Sequence, residues 1–136
     1  MTDWLARLPN TLRGQLLHQV SLAPYTSWRI GGLAEHVYFP ADLSDLSQFL
    51  KSLPHTVPLT WLGLGSNTLV RDHGVCGVVV MTQGGLNQLS SIDTVSDHVL
   101  NIRAEAGVSS AQLARYAARL GGAELAFMAG IPGRAA

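Results

Sequence analysis

Apolar side chains recur every three or four residues in two segments of the chain, which is the spacing of one helix face. The first segment, residues 43–53, follows Asp42, a residue type favoured at the N-cap of a helix. The second segment, residues 113–120, follows Ser109, and Gln112 stands at the position of its capping-box partner. The pattern therefore predicts two short amphipathic helices.

Short apolar or alternating segments predict four strands, at residues 35–39, 59–62, 75–82 and 99–104. The third of them is rich in valine, a β-branched residue that favours strands. Together with the first helix, the first three strands predict a β-α-β-loop-β unit over residues 35–82. A pair of glycines follows this unit and breaks the pattern.

The beginning of the chain has a less regular pattern. Residues 1–22 carry apolar side chains at mixed spacing, interrupted by Pro9, and predict one or two short helical turns. Residues 23–26 are expected to be extended, because the residue before Pro24 avoids the helical region. The elements as a whole predict an α+β fold.

Composition and charge exclude several classes of protein. Hydrophobic residues make up 47% of the 136 residues, which is typical of a folded domain. The formal net charge is zero and no stripe of Lys or Arg is present, so we expect no nucleic-acid partner. No apolar stretch approaches the roughly 20 residues that span a bilayer, and the N-terminus lacks the features of a signal peptide. We therefore expect a cytoplasmic protein without a membrane partner, and no pattern indicates an oligomeric state.

Several single residues invite a functional interpretation, but a structural one is simpler. Cys76 lies in an apolar run and is expected to be a buried thiol, and the chain has no second cysteine for a disulfide. Trp28 is expected in the core and Glu124 as a buried carboxylate, whereas Asp72 and His73 are expected in a solvated turn. No histidine has metal-ligand spacing to a cysteine or carboxylate cluster, so we expect no metal site.

The loop at residues 63–67, with the sequence GLGSN, comes directly after a predicted strand. Glycines allow successive N–H groups to turn toward one point and form an anion-binding nest, to which Ser66 and Asn67 can add donors. The loop lacks the lysine of a Walker loop, and Thr68 stands where a Rossmann fingerprint has its third glycine. On this pattern alone, a phosphate nest and a plain surface turn both remain open.

Four segments resemble, in order, motifs of the UDP-N-acetylenolpyruvoylglucosamine reductases. Residues 61–72 (WLGLGSNTLVRD) resemble the G-x-G-S-N-x-L-v-x-D motif, and residues 25–34 (YTSWRIGGLA) resemble the N-T-[aromatic]-x-[VI]-G-G-x-A motif. Residues 104–108 (AEAGV) resemble the A-x-A-G-v motif. Residues 124–133, which begin with a glutamate and end in GIPG, resemble the family's E…G-I-P-G segment. From the first to the last, the four segments extend over roughly residues 24–133.

The resemblance implies a fold of the p-cresol-methylhydroxylase type, in which FAD lies between two α+β lobes and is held non-covalently. In this interpretation residues 1–22 are a helical lead-in, residues 23–83 the first lobe, and residues 84–136 the start of an incomplete second lobe. The C-terminal substrate-binding domain of the family is expected to be absent. The positions that the resemblance places beside the cofactor are Trp61, Leu62, Gly63, Gly65, Ser66, Asn67, Thr68, Leu69, Gly130, Ile131, Pro132 and Gly133.

The resemblance also implies a reaction. In this family a hydride passes from NADPH to FAD, and then from FAD to the enolpyruvyl group of UDP-N-acetylglucosamine enolpyruvate, while an acid supplies a proton. The product is UDP-N-acetylmuramate, a precursor of peptidoglycan, which connects the family to cell-wall biogenesis, cell shape and cell division. The expected partner is thus a small UDP-sugar substrate.

The match has one internal departure and one limit. Arg134 stands where the family has a small hydroxyl residue. The family's catalytic arginine, its serine or cysteine proton donor and its late glutamate have no counterpart among the 136 residues. We therefore assign no catalytic residue, and we expect the isolated chain not to reduce substrate.

Two other interpretations remain open. One is an FAD-linked oxidase of the same superfamily, which often tethers its flavin to a His or Cys. The other is a non-catalytic nucleotide-binding fragment without a redox role. Acid-stable flavin attachment would favour the oxidase, whereas a failure to bind FAD would favour the fragment.

Overall fold

The computed structural model describes residues 3–92 and 99–135 of the chain. Two α-helices lie at Leu43–Ser52 (α1) and Ser110–Arg119 (α2), and short 3-10 helices lie at Leu5–Arg7, Ala23–Tyr25 and Ala123–Gly130. The strands lie at Gln15–Ser21 (β1), Leu33–Phe39 (β2), Leu59–Leu62 (β3), Val75–Met81 (β4), Leu89–Ile92 (β5) and Asn101–Ala104 (β6). The predicted mixture of helices and strands is confirmed.

The first four strands form one sheet in the order β1-β2-β4-β3. β1 pairs with β2 in antiparallel fashion, whereas β4 is parallel to both β2 and β3. Helix α1 connects β2 to β3, as a crossover between parallel strands requires. Consequently β2, β3 and β4 all point their carboxyl ends toward the same edge of the sheet.

The core lies on both faces of β4, which explains the unbroken apolar run of that strand. On one face, Val78 and Val80 contact Tyr38 and Phe49, whose rings stack with centroids 3.7 Å apart. On the other face, Val79 and Met81 belong to a second cluster of buried residues. That second cluster also contains Leu22, Ala34, Val37, Leu62 and Val70.

A buried carboxylate joins the beginning of α1 to the strands. Asp45 is 1% exposed and accepts hydrogen bonds from the Tyr38 hydroxyl at 2.6 Å, the Ala41 N–H at 3.0 Å and the Arg13 N–H at 2.7 Å. Burial by itself raises the pKa of Asp45, but the Tyr38 hydroxyl and the N–H groups of Ala41, Arg13 and Gly14 outweigh it and lower the pKa. The carboxylate therefore stays ionised within the fold.

The last two strands form a separate two-stranded antiparallel sheet. Helix α2 follows β6 and begins at the predicted capping box, in which the Gln112 N–H donates to Ser109 Oγ at 3.1 Å. On α2 the buried side chains are small, namely Ser110, Ala114 and Ala117. Leu120, which was predicted to face the core, is 44% exposed.

The helical lead-in predicted for residues 1–22 is wrong over much of its length. Leu5–Arg7 is a helical turn, but Gln15–Ser21 is strand β1. The alternation of inward and outward side chains along β1 is interrupted at Gln19, which has a φ of 50°. The extended segment predicted for residues 23–26 is also wrong, since Ala23–Tyr25 is a 3-10 helix with Pro24 in its first turn.

Three residues predicted to be buried are exposed. Cys76 lies exposed on β4, Trp28 is 67% exposed and Glu124 is exposed in the last 3-10 helix. Asp72 and His73 lie in an exposed turn, as predicted. Among the helices of the described residues, none has the length and apolar character needed to cross a membrane.

Candidate functional site

The glycine loop of residues 63–67 begins where β3 ends. Gly65 has a φ of +68°, and a Cβ at this position would overlap the carbonyl oxygen of Tyr25. The Gly65 carbonyl accepts a hydrogen bond from the Ser27 N–H at 3.1 Å. Gly65 is thus required by the fold itself, because the loop lies directly against residues 25–27.

The N–H groups of this loop have no protein acceptor. Across the described parts of the chain, no hydrogen bond is donated by a backbone N–H of residues 63–67. Successive N–H groups without a partner are the groups from which an anion-binding nest is built. The interpretation as a phosphate nest is therefore compatible with the structure.

Gly63 differs from Gly65 because the fold does not require it. A Cβ on Gly63 would meet only Arg134 Cγ at 3.6 Å and Thr82 Oγ1 at 3.7 Å, which are ordinary van der Waals distances. Neither protein packing nor a positive φ explains a glycine here. A glycine that neither packing nor φ requires suits a position that a ligand approaches closely.

Arg134 reaches this position because the segment before it is attached to α2. The Ser110 N–H donates to the Gly133 carbonyl at 3.1 Å, the Ala135 N–H donates to the Val108 carbonyl at 2.8 Å, and Ser109 forms a β-bridge with Arg134. The Arg134 guanidinium donates in turn to the Gly107 carbonyl. These bonds bring a residue distant in sequence beside the glycine loop.

Two buried polar atoms close to Gly63 lack a hydrogen-bond partner among the described residues. They are Thr82 Oγ1, on a side chain that is 2% exposed, and Arg134 Nε. An unpaired buried polar atom costs roughly 1–3 kcal/mol. A ligand that reached these atoms would remove that penalty.

A mainly apolar cavity of about 270 Å³ is lined by residues that directly precede and follow the loop in sequence. Four of the residues predicted to border the cofactor line it, namely Trp61, Leu62, Thr68 and Leu69. Trp61 is 50% and Leu69 66% exposed, so large apolar surfaces are open to a ligand. The remaining lining residues are Leu22, Thr60, Val70, Arg71, His73, Gly74, Val75 and Val79.

The structure does not gather all predicted site residues equally. Trp61, Leu62, Thr68 and Leu69 line the cavity and flank the glycine loop in sequence, whereas Gly130, Ile131 and Pro132 are exposed in a separate segment. No protein atom lies within 4 Å of a Cβ placed on Gly130 or Gly133. This second segment reaches the loop through Arg134, the residue that follows it.

Thr82 and Arg134 were not among the predicted site residues. A signal for Thr82 existed, because it directly follows β4, and ligands of parallel sheets bind beyond the carboxyl ends of the strands. Arg134 had no such signal, since it departs from the motif in which it stands. Together with the loop N–H groups and the apolar cavity, both residues fit a cofactor that carries phosphate and a ring system.

A histidine pair forms a second polar cluster that contains none of the predicted site residues. His18 Nδ1 and His36 Nδ1 are 2.8 Å apart, and His36 is 5% exposed with its Nε2 unpaired among the described residues. Burial lowers the pKa of His36. Within residues 3–92 and 99–135, no group of three or more potential ligands could hold a metal ion.

Comparison with known proteins gives a family match over most of the chain. A model of the family described as an FAD binding domain matches residues 34–134. Among curated proteins, UDP-N-acetylenolpyruvoylglucosamine reductase of Coxiella burnetii (strain RSA 493 / Nine Mile phase I) is 48% identical over 136 aligned residues, with 90% of this chain and 43% of the relative covered. The proteins of the same name from Legionella pneumophila (strain Paris) and Nitrosococcus oceani are 50% and 49% identical, over 89% and 90% of this chain.

The chain spans about two fifths of the length of these relatives, because the aligned part is 43%, 38% and 40% of their sequences. The resemblance found in the four sequence motifs is confirmed by these matches. The match to the FAD binding domain, over residues 34–134, includes the glycine loop.

Proposed function

Because the chain belongs to the FAD binding domain family, we propose that it is the FAD-binding part of a reductase that uses NADPH to convert UDP-N-acetylglucosamine enolpyruvate to UDP-N-acetylmuramate. The observation that carries this proposal is the row of unpaired N–H groups at residues 63–67, beside two unpaired buried polar atoms. The names of the relatives support the choice of reaction. Peptidoglycan synthesis is the process that this reaction serves.

The loop supplies the contacts for the pyrophosphate of FAD. In the proposal, the N–H groups of residues 63–67 donate to the phosphate oxygens, and Ser66 and Asn67 add side-chain donors. The cavity lined by Trp61 and Leu69 accepts an apolar or aromatic part of the cofactor, since both side chains are substantially exposed. Residues 130–133 lie against the cofactor from the second lobe.

The lobes of this proposal follow the division made from the sequence. Residues 23–83 form the first lobe and residues 84–136 belong to the second, in a fold of the p-cresol-methylhydroxylase type. The strand β1 joins the first lobe by pairing with β2, so the first lobe also takes in Gln15–Ser21. FAD is held non-covalently between the two lobes.

The bound cofactor supplies the hydride transfer between NADPH and the enolpyruvyl group. The residues of this chain bind and orient it, and they exclude water from its phosphate side. The chemistry of proton donation is not assigned to any residue here. The reaction and the UDP-sugar substrate are proposed for a protein of the length of the relatives.

Titration of the purified chain with FAD tests the cofactor assignment directly. Binding raises the melting temperature, because a ligand at 100 times its Kd adds about 2.7 kcal/mol of stability. If FAD changes neither the melting temperature nor the visible flavin spectrum, the proposal is wrong. Flavin that remains attached after acid precipitation would instead favour an FAD-linked oxidase, for which His73 is the histidine that lines the cavity.

A glycine substitution separates ligand binding from folding. Gly63→Ala adds a methyl group that meets only ordinary contacts in the protein, so the ligand-free melting temperature should stay close to that of the original chain. FAD affinity should fall, because the same methyl group occupies the space of the ligand. Gly130→Ala is the corresponding test of the second segment, since no neighbouring side chain or backbone of the described residues lies within 4 Å of its Cβ position. A fall in FAD affinity without a change in the ligand-free melting temperature would support contact of this segment with the cofactor, and unchanged affinity would exclude it.

A further inference from the structure

Arg134 and Thr82 meet above Gly63, and each presents a polar atom without a partner. Relative to a Cβ placed on Gly63, Arg134 Cγ lies at 3.6 Å and Thr82 Oγ1 at 3.7 Å. The Thr82 side chain is only 2% exposed, and its hydroxyl has no hydrogen bond within the described parts of the chain. Arg134 Nε is equally without a partner there.

Within residues 3–92 and 99–135, no carboxylate forms an ion pair with Arg134. The ion pairs of the described residues join Arg7 to Asp3 and Arg13 to Asp42, and His36 Nε2 lies 3.8 Å from Glu35 Oε1; none of these contacts includes Arg134. Its one hydrogen bond goes to a neutral acceptor, the Gly107 carbonyl. The Arg134 guanidinium and the unpaired N–H groups of residues 63–67 both make the potential near Gly63 more positive. The surroundings of Gly63 therefore favour the binding of an anion.

We propose that Arg134 and Thr82 form a diphosphate-recognition pair, which supplies the glycine loop with the cationic contact that its own sequence lacks. The ligand class is a diphosphate ester. The inference rests on the proposed function only in identifying that ester as FAD. The guanidinium contributes charge and N–H donors, and the threonine hydroxyl contributes one more donor. The arginine thus replaces the small hydroxyl residue expected at its position with a stronger phosphate ligand.

The ligand-free side chain has to turn before it can bind. Arg134 Nε and Thr82 Oγ1 are both shielded from solvent, so the guanidinium rotates outward when the diphosphate arrives over Gly63. The bond to Gly107 is the one hydrogen bond of this side chain among the described residues. In the rotated position the guanidinium donates to a charged phosphate oxygen and no longer to the neutral Gly107 carbonyl. This exchange is favourable, because hydrogen bonds to a charged acceptor are about twice as strong as those to a neutral one.

The first experiment compares ligands with and without phosphate. Inorganic pyrophosphate, FAD and riboflavin are titrated against the original chain, Arg134→Ser and Arg134→Lys, and Kd is measured by calorimetry. We expect Arg134→Ser to weaken FAD and pyrophosphate about tenfold or more, which corresponds to about 1.4 kcal/mol, and to leave riboflavin unchanged. Arg134→Lys keeps the charge but loses the planar set of N–H donors, so its Kd values should lie between those of the original chain and those of Arg134→Ser.

The matched control is Arg119→Ser, which removes the same charge from the exposed end of α2. Its Kd values should equal those of the original chain. Equal loss in Arg119→Ser and Arg134→Ser would mean that only the net charge matters, and it would overturn the proposal. Unchanged or tighter pyrophosphate binding by Arg134→Ser would overturn it as well.

The second experiment measures stability and ligand affinity together, because a purely structural role of Thr82 would not change the two in opposite directions. Thr82→Val removes an unpaired buried hydroxyl without changing the shape of the side chain, so the ligand-free melting temperature should rise. Pyrophosphate affinity should fall at the same time. If stability and affinity change in the same direction, Thr82 is not a ligand of the diphosphate. Thr56→Val, at an exposed position, is the control for the substitution itself.

Failure of this inference and failure of the proposed function give different results. If the original chain binds FAD and Arg134→Ser binds it equally well, the cofactor assignment stands and the recognition pair is wrong. If the original chain binds pyrophosphate through Arg134 but does not bind FAD, the recognition pair stands and the cofactor assignment is wrong. If neither ligand binds, both are wrong.

Discussion

The four-stranded sheet and the two-stranded sheet of this chain differ in how fully they are buried. In the first, residues 78–81 of β4 are at most 1% exposed, and apolar clusters cover both faces. In the second, Ser90, Ser91 and Ile92 are exposed, and Ile92 has an exposed fraction of 51%. A two-stranded sheet is marginal in isolation, so the second region depends on what it is attached to.

This difference explains why the candidate site lies between the two regions. Gly63 extends from the buried sheet and is fixed by it, whereas Arg134 arrives from the exposed region. The second region contacts the first at Gly107, where a Cβ would overlap the Thr82 carbonyl oxygen, and at Arg134, whose Cγ lies 3.6 Å from a Cβ placed on Gly63. A rigid glycine loop is thus paired with a less stable partner, which is able to move when a ligand binds.

The largest effect is expected from removing a phenylalanine ring in the buried region. Phe49→Ala should lower the free energy of unfolding by about 3–5 kcal/mol, because the ring is fully buried and stacks on Tyr38. Phe127→Ala should change it by no more than about 0.5 kcal/mol, because that ring is 67% exposed. Urea unfolding of both variants measures the contrast, and similar losses would show that the two regions are equally well packed.

A smaller loss is expected from the carboxylate that joins α1 to the strands. Asp45→Ala leaves the buried Tyr38 hydroxyl and two N–H groups without an acceptor, and should cost about 3 kcal/mol in the free energy of unfolding. Asp72→Ala removes a carboxylate from an exposed turn and serves as the control. Stability of Asp45→Ala close to that of the control would contradict the role given to this network.

The two helix caps give a sharper comparison of the regions. Asp42 caps α1 and Ser109 caps α2, two helices of 10 residues each. Replacement of either cap by alanine should cost about 1 kcal/mol. In Ser109→Ala we expect faster amide hydrogen exchange confined to α2, since the exposed region opens separately, whereas Asp42→Ala should affect the whole buried sheet. Uniform acceleration in both variants would show that the chain opens as one unit.

The smallest effect concerns pH. Burial lowers the pKa of His36, Glu35 opposes this shift and His18 adds to it, so the unfolded chain takes up a proton first as the pH falls below about 6.5. The free energy of unfolding that depends on neutral His36 is fully present above about pH 6.5. It decreases as the pH falls from there toward the lower pKa that His36 has in the folded chain. Urea midpoints at about pH 7.5 and 5.5 should differ less in His36→Gln than in the original chain, and His55→Gln should not alter the difference.

The buried region could be predicted from its sequence to a large extent. The cap at Asp42, the apolar stripe of α1 and the valine run of β4 each carry a local pattern that tertiary contacts reinforce. The glycine loop could be placed for the same reason, since it follows a short apolar strand. Its own motif and the three flanking motifs then gave the family, which the pattern of the loop alone left open.

The missed elements lack such a pattern. β1 has two adjacent leucines and the positive φ of Gln19, so its alternation is broken, and β5 exposes three of its four residues. Trp28 and Cys76 were placed in the core on residue type alone, although exposure depends on which strands lie beside them. Arg134 could not be assigned, because its role arises from a β-bridge between segments that carry no shared sequence pattern.

The bridge between Ser109 and Arg134 also has a consequence for the order of folding. Helix α2 and the 3-10 helix after it are joined by local contacts, which form early because little chain entropy is lost. The meeting of Arg134 with Gly63 closes a long loop of chain and requires both regions to be formed, so it completes late. A ligand that binds there stabilises an interaction absent from the transition state. It should therefore slow unfolding and leave the folding rate unchanged.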